Sequence, residues 1–121
     1  MLADLTQDMS ESKRRTVTLR DERHGQDARH LRAYLDEDGN LHIDGQDLGP
    51  GTAMVSSDGE YEWYQVVAAN DVSRVAKLLG AEPGESLLDV LQREWTGDRS
   101  YELEEHLRGS GIPMTLFVYS G

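Results

Sequence analysis

Apolar residues recur at every second position over much of residues 16–69, and at every third or fourth position from residue 72 to residue 107. The first spacing belongs to strands and the second to helices. Residues 1–13 are polar and show no period, which predicts a loose tail ahead of a single domain over residues 14–121. Residues 16–22 then alternate as a strand, with Val17 and Leu19 on one face and Thr16, Thr18 and Arg20 on the other. His24-Gly25-Gln26-Asp27 interrupts it.

The clearest local signal covers residues 29–47. Two alternating segments flank a three-residue loop, Glu37-Asp38-Gly39, in which Gly39 takes the left-handed conformation. That loop sets Leu35 opposite Leu41, Ala33 opposite Ile43, and Arg32 opposite Asp44. The first two pairs make an apolar face, and the third is a favourable cross-strand charge pair. A register slip of one residue would place His42 among the leucines. Gly45-Gln46-Asp47-Leu48-Gly49-Pro50-Gly51 reads as a turn-rich linker. Residues 52–56 are then expected to pair with residues 60–69 across a tight turn at Asp58-Gly59.

The helical period follows. Asn70 or Asp71 is placed to cap a helix carrying Val72, Val75, Ala76 and Leu79, and Gly80 ends it. Ser86 is placed to cap a second helix, with Leu87, Leu88, Leu91 and Trp95 on one face and Gly97 at its close. Ser100 is expected to cap a third, carrying Leu103 and Leu107 and ending at Gly109. Residues 112–119 form a nearly all-apolar final strand, the pattern of a strand flanked on both sides. The order predicts an α+β fold: one domain, a mostly antiparallel sheet of about four to five strands, and two to three helices on one face.

Composition narrows the function. The chain has 121 residues with 23 acids against 12 bases, a net charge of −11, and no cysteine. Residues 1–35 hold six acids and seven bases, so the remainder carries the whole excess, seventeen acids against five bases. An acid excess of this size argues against nucleic acid and anionic membrane as partners, because both need clustered Lys and Arg. The Lys13-Arg14-Arg15 run is too short, and too near acids, to make a nucleic-acid arm. Without cysteine there is no disulfide, thiolate nucleophile or Cys-ligated zinc. No apolar run has membrane-spanning length and the N-terminal stretch lacks a signal-peptide core, so a cytoplasmic setting is expected.

The familiar catalytic and metal patterns do not fit. Asp36, Asp38, Asn40, Asp44 and Asp47 resemble calcium-loop spacing, but Leu41 stands where such a loop needs Gly. His24, His30, His42 and His106 lack helical metal-ligand pairing, and there is no HExxH. No GxSxG or GK[ST] is present. Ser56, Ser57, Ser100 and Ser110 sit where turns and helix caps want them. Glu102, Glu104, Glu105 and His106 read as a solvated helical patch. No catalytic residue, metal or cofactor is assigned.

The most informative segment is Glu60-Tyr61-Glu62-Trp63-Tyr64-Gln65. Alternation turns Tyr61, Trp63 and Val67 toward the core and leaves Glu60, Glu62 and Tyr64 on the open face. With the hairpin alongside, Tyr34, His42 and Asp44 would share that face. Tyrosines among carboxylates suit a protein interface, where aromatic anchors supply area and the acids meet Arg or Lys. The six candidate partner-binding residues are therefore Tyr34, His42, Asp44, Glu60, Glu62 and Tyr64.

The runs Leu31-Arg32-Ala33-Tyr34-Leu35-Asp36-Glu37-Asp38-Gly39-Asn40-Leu41, Gly45-Gln46-Asp47-Leu48-Gly49, Glu60-Tyr61-Glu62-Trp63 and Gly111-Ile112-Pro113 carry a resemblance. On them, residues 16–121 resemble a group of small acidic actinobacterial proteins of unknown function, which implies no activity. In size, acidity and strand-then-helix order the chain is also similar to immunity proteins that neutralise toxin nucleases, an analogy of style. The leading expectation is a non-enzymatic, acidic protein-binding module, an inhibitor or immunity-type partner of a basic protein. The alternative is a small enzyme or ligand-binding domain with a pocket between sheet and helices.

Overall fold

A computed structural model describes residues 14–50 and 59–120. The predicted tail over residues 1–13 and the predicted strand over residues 52–56 lie outside the described residues. Within them the chain forms β1 (Thr16–His24), β2 (Asp27–Leu35), β3 (Leu41–Leu48) and β4 (Glu60–Val67). A 3-10 turn (Ala69–Asp71) leads into α1 (Val72–Leu78), followed by α2 (Leu87–Glu94), α3 (Arg99–Arg108) and β5 (Thr115–Ser120). The five strands make one antiparallel sheet in sequence order, β1-β2-β3-β4-β5. With its three helices this is the expected α+β domain. Among the described residues, no helix is long and apolar enough to cross a membrane.

Local chemistry explains the first turns. Gly25, at φ +62°, occupies the first position of a two-residue turn, so β1 runs two residues further than alternation indicated and pairs His24 with Asp27. The β2–β3 hairpin has the expected register, with Leu35 opposite Leu41, Ala33 opposite Ile43 and Arg32 opposite Asp44. Its loop closes through Asp36 N–H to Asn40 O (2.9 Å), with Gly39 at φ +85°. Asp36 Oδ1 accepts from the backbone N–H groups of Asp38 and Asn40 and so stiffens the turn.

Several expectations need correction. Gly45 to Leu48 belongs to β3 and is not linker. Gly45 stands opposite Trp63, whose ring lies against it, and a Cβ there would fall 2.1 Å from Trp63 Cε2. The glycine marks close packing within a strand. Arg20 does not share a face with Thr16 and Thr18, because the register shifts between Thr18 and Arg20 and the bulge turns Arg20 inward. Ser100 is not a helix cap. It lies inside α3, fully buried, while Asp98 occupies the cap position. Finally, among the described residues β5 is not flanked on both sides but is an edge strand, exposed on both faces.

The core lies between one sheet face and the helices. Val17, Leu19, Leu31, Ala33, Leu41, Ile43 and Val67 meet Val75, Leu79, Leu87, Leu88, Val90, Leu91, Trp95, Leu103 and Leu107. Each fully buried aliphatic side chain here is worth about 1.5–3 kcal/mol relative to exposure. In α2, Ser86 Oγ accepts from Asp89 N–H as a true cap, whereas neither Asn70 nor Asp71 caps α1, which continues out of the 3-10 turn. Trp95 is pinned by Nε1–H donating to Leu79 O at 3.0 Å. Among the described residues β5 adds nothing to the buried core, and Trp63 is only half-buried against its margin.

Candidate functional site

The sheet face turned away from the helices is built row by row from the strand register. Tyr34, His42 and Val66 form one row, Arg32, Asp44 and Tyr64 the next, and His30, Gln46 and Glu62 a third. Glu60 follows opposite Leu48. All six residues singled out from the sequence, Tyr34, His42, Asp44, Glu60, Glu62 and Tyr64, are thus brought to one face. Each is partly buried. Sequence reasoning left out His30, Arg32 and Gln46 as members of the same face, although the parity that selected Asp44 selects them too.

The carboxylates of β4 are held by neighbours. Tyr64 Oη–H donates to Glu62 Oε2 at 2.6 Å. Gln46 Nε2–H donates to Glu62 Oε1 at 3.1 Å and to Glu60 Oε1 at 3.3 Å. The Tyr64 hydrogen bond is the largest influence holding the Glu62 carboxyl below its ordinary range, and the same bond raises the Tyr64 phenol. Glu62 is therefore a fixed anion at neutral pH and poorly suited to donate a proton. Asp44 differs: its side chain is 14% exposed, and burial raises its carboxyl, offset in part by Arg32 at 3.8 Å.

At the other end of the face, Tyr34 and His42 stack with centroids 4.7 Å apart and planes 4° from parallel. His42 Nε2 lies 2.8 Å from Asp36 Oδ2, and this bond is the main reason the Asp36 carboxyl sits far below its usual range. Arg14 lies over the Tyr34 ring at 5.2 Å. A concavity of about 440 Å³ opens among these rows, with His30 and Arg32 on one side and Asp44, Gln46, Glu62 and Tyr64 on the other. The face is thus two-sided: β2 supplies the Arg32 guanidinium and the His30 ring, and β3 with β4 supplies carboxylates. It offers fixed acceptors and aromatic surface to a cationic group.

The covered side holds a second polar cluster that sequence reasoning missed. Arg20, 3% exposed, donates from Nε to Ser100 Oγ at 2.9 Å and from Nη2 to Glu104 Oε1 at 2.7 Å. Its guanidinium lies 3.5 Å from the Tyr101 ring centroid. Trp63 Nε1–H reaches Glu104 Oε2 at 3.2 Å, and Tyr101 Oη–H donates to Glu22 at 2.7 Å. Glu104 accordingly leaves the solvated patch assigned to it and faces the sheet. Burial raises the nearby Asp47 carboxyl, with Arg29 and Arg20 opposing. Every strong partner of Arg20 belongs to the domain's own packing, so this cluster reads as a structural lock.

Among the described residues, no group of three or more His, Asp or Glu side chains is arranged to hold a metal ion. Comparison with protein-family models, with curated proteins and with solved structures finds no match.

Proposed function

We propose that this chain is an acidic, non-enzymatic protein-binding module that engages a basic protein through the uncovered sheet face. The observation that carries the reading is the gathering of Tyr34, His42, Asp44, Glu60, Glu62 and Tyr64 on that one face, with Glu62 tied down as an anion by Tyr64 and Gln46. Carboxylates already held by neighbours lose little freedom when they meet Arg or Lys, so less of the interaction is spent on ordering side chains. The tyrosines supply contact area at low conformational cost. A net charge of −11 adds long-range attraction for a cationic partner. The mode of action is occlusion of the partner's basic surface, in the manner of an inhibitor or immunity-type protein, in the cytoplasm.

The test is affinity capture with the full chain at low ionic strength, followed by titration of the captured protein. Binding should weaken steeply with added salt. Glu62→Lys should slow association by about tenfold, and Tyr64→Ala should weaken affinity by about thirtyfold, as expected of a central aromatic anchor. If both variants bind the captured protein as the unaltered chain does, the open face is not the contact surface.

A further inference from the structure

We propose that β5 is a homodimer edge, pairing antiparallel with β5 of a second copy to continue the sheet across a two-fold axis. The starting point is a mismatch between pattern and position. Thr115 to Tyr119 has the composition of a strand covered on both faces, yet β5 is the edge of the sheet. Leu116, Phe117, Val118 and Tyr119 are 57%, 58%, 52% and 57% exposed. Edge strands that stay unpaired normally carry a charge, a proline or a bulge to discourage further pairing. Residues 115–120 carry no charge and no proline, and their pairing with β4 runs without a register shift.

A second copy fits this edge better than a basic protein does. The strand is uncharged in a chain of net charge −11, so a cationic partner finds its complement on the open face and not here. An antiparallel pair about a dyad normal to the sheet keeps each copy's faces on the same side. Paired residues then share parity: Phe117 meets the partner's Phe117, Leu116 the partner's Val118, and Thr115 the partner's Tyr119. Apolar pairs form on both faces, Phe117 with the partner's Phe117 on one and Leu116 with the partner's Val118 on the other, the self-complementarity a two-fold interface requires. Four side chains of this size, more than half exposed, present about 400 Å² per copy. Edge pairing covers part of that area on each copy, less than about 800 Å² in all, and adds a ladder of about six backbone hydrogen bonds, which suits a weak, transient dimer.

This interface stands apart from the open-face reading. It does have a consequence for that reading, because the dyad leaves both copies' open faces on the same side of one ten-stranded sheet. Phe117 and Tyr119 neighbour Tyr64 and Glu62 in the register, so the two candidate surfaces would adjoin across the dyad.

The experiment is sedimentation equilibrium of the full chain from about 5 to about 500 µM, a range that brackets the weak class of interface. A monomer–dimer equilibrium is expected, and salt should strengthen it by screening repulsion between acidic copies, the reverse of its effect on a basic partner. Phe117→Lys sets two ammonium groups opposite each other across the dyad, and Val118→Lys buries a charge on the other face. Both positions are more than half exposed in the single chain, so each variant should keep its circular dichroism spectrum and weaken the dimer by at least thirtyfold. A chain that stays monomeric at the highest concentration overturns the proposal, whether the edge stays bare or is covered by residues 1–13 or 51–58. A dimer untouched by both substitutions overturns it too.

Discussion

β1 and β5 border the same sheet and are finished in opposite ways. β1 is bulged at Leu19, carries Arg20, Asp21, Glu22 and Arg23 in succession, and lies under the helices. The turn between α2 and α3 reaches it directly, since Gly97 N–H donates to Leu19 O at 2.8 Å. Arg15, just ahead of the strand, pairs with Asp89 of α2. β5 has none of these devices among the described residues; it is short, uncharged and apolar on both faces. A bulge, charges and a covering turn close one edge against further pairing, and their lack leaves the other able to pair. β1 thus shows what a finished sheet edge requires, and β5 stands without those devices among the described residues.

The sharpest way to break the contrast is at the bulge. Arg20→Ala would leave the half-buried Glu104 without its guanidinium, and removing one member of such a pair costs about 3–5 kcal/mol. The loss should appear as a lower midpoint in urea unfolding. Arg20→Met leaves Glu104 equally unpaired and loses the guanidinium over Tyr101, but keeps a long aliphatic chain in the buried site and should cost less than Ala. Next comes a matched pair of truncations. Leu19→Ala opens a cavity in the core and should cost about 2–5 kcal/mol. Leu116→Ala, more than half exposed, should cost less than about 1 kcal/mol when measured on dilute protein. Equal losses at the two sites would erase the distinction between the edges.

The smallest effect is electrostatic. Burial raises the Asp47 carboxyl above its ordinary value of 3.8, so the folded state holds that proton more tightly than the unfolded chain does. The contribution of Asp47 to stability therefore falls as pH rises from about 3.8 through its folded pKa. Asp36 and Glu85 are displaced downward, the latter to about 2, by His42 and Arg93 respectively. Their stabilisation is complete above the ordinary carboxylate range and is lost as pH falls through their folded values. Asp47→Asn should thus gain stability relative to the unaltered chain as pH rises from about 4 to 6. An unchanged difference across that range would mean that Asp47 is not strained by burial.

The features legible in the sequence were those set by neighbours along the chain. The β2–β3 register followed from one glycine loop and strict alternation, and α2 and α3 followed from leucine spacing ended by Gly97 and Gly109. The six open-face residues were readable for the same reason, because parity alone puts them on one side once β3 lies beside β4. Features decided by distant partners were not legible. The inward turn of Arg20 at the Leu19 bulge is met by Ser100 and Glu104, some eighty residues away. Gly45 imitated a linker because its reason, the Trp63 ring, lies on another strand. The apolar run over residues 112–119 predicted a strand but misplaced it, because composition does not tell which strands become neighbours.

The central contrast is between a closed edge at β1 and an open one at β5. Amide hydrogen exchange on the full chain, at about 5 and about 500 µM, tests it directly, since the two concentrations bracket a weak interface. The outward-pointing amides of Thr115–Ser120 should exchange quickly in the dilute sample and become protected in the concentrated one, while Thr16–His24 exchanges alike in both. Equal exchange of β5 at the two concentrations, or protection that grows along β1 instead, would contradict it.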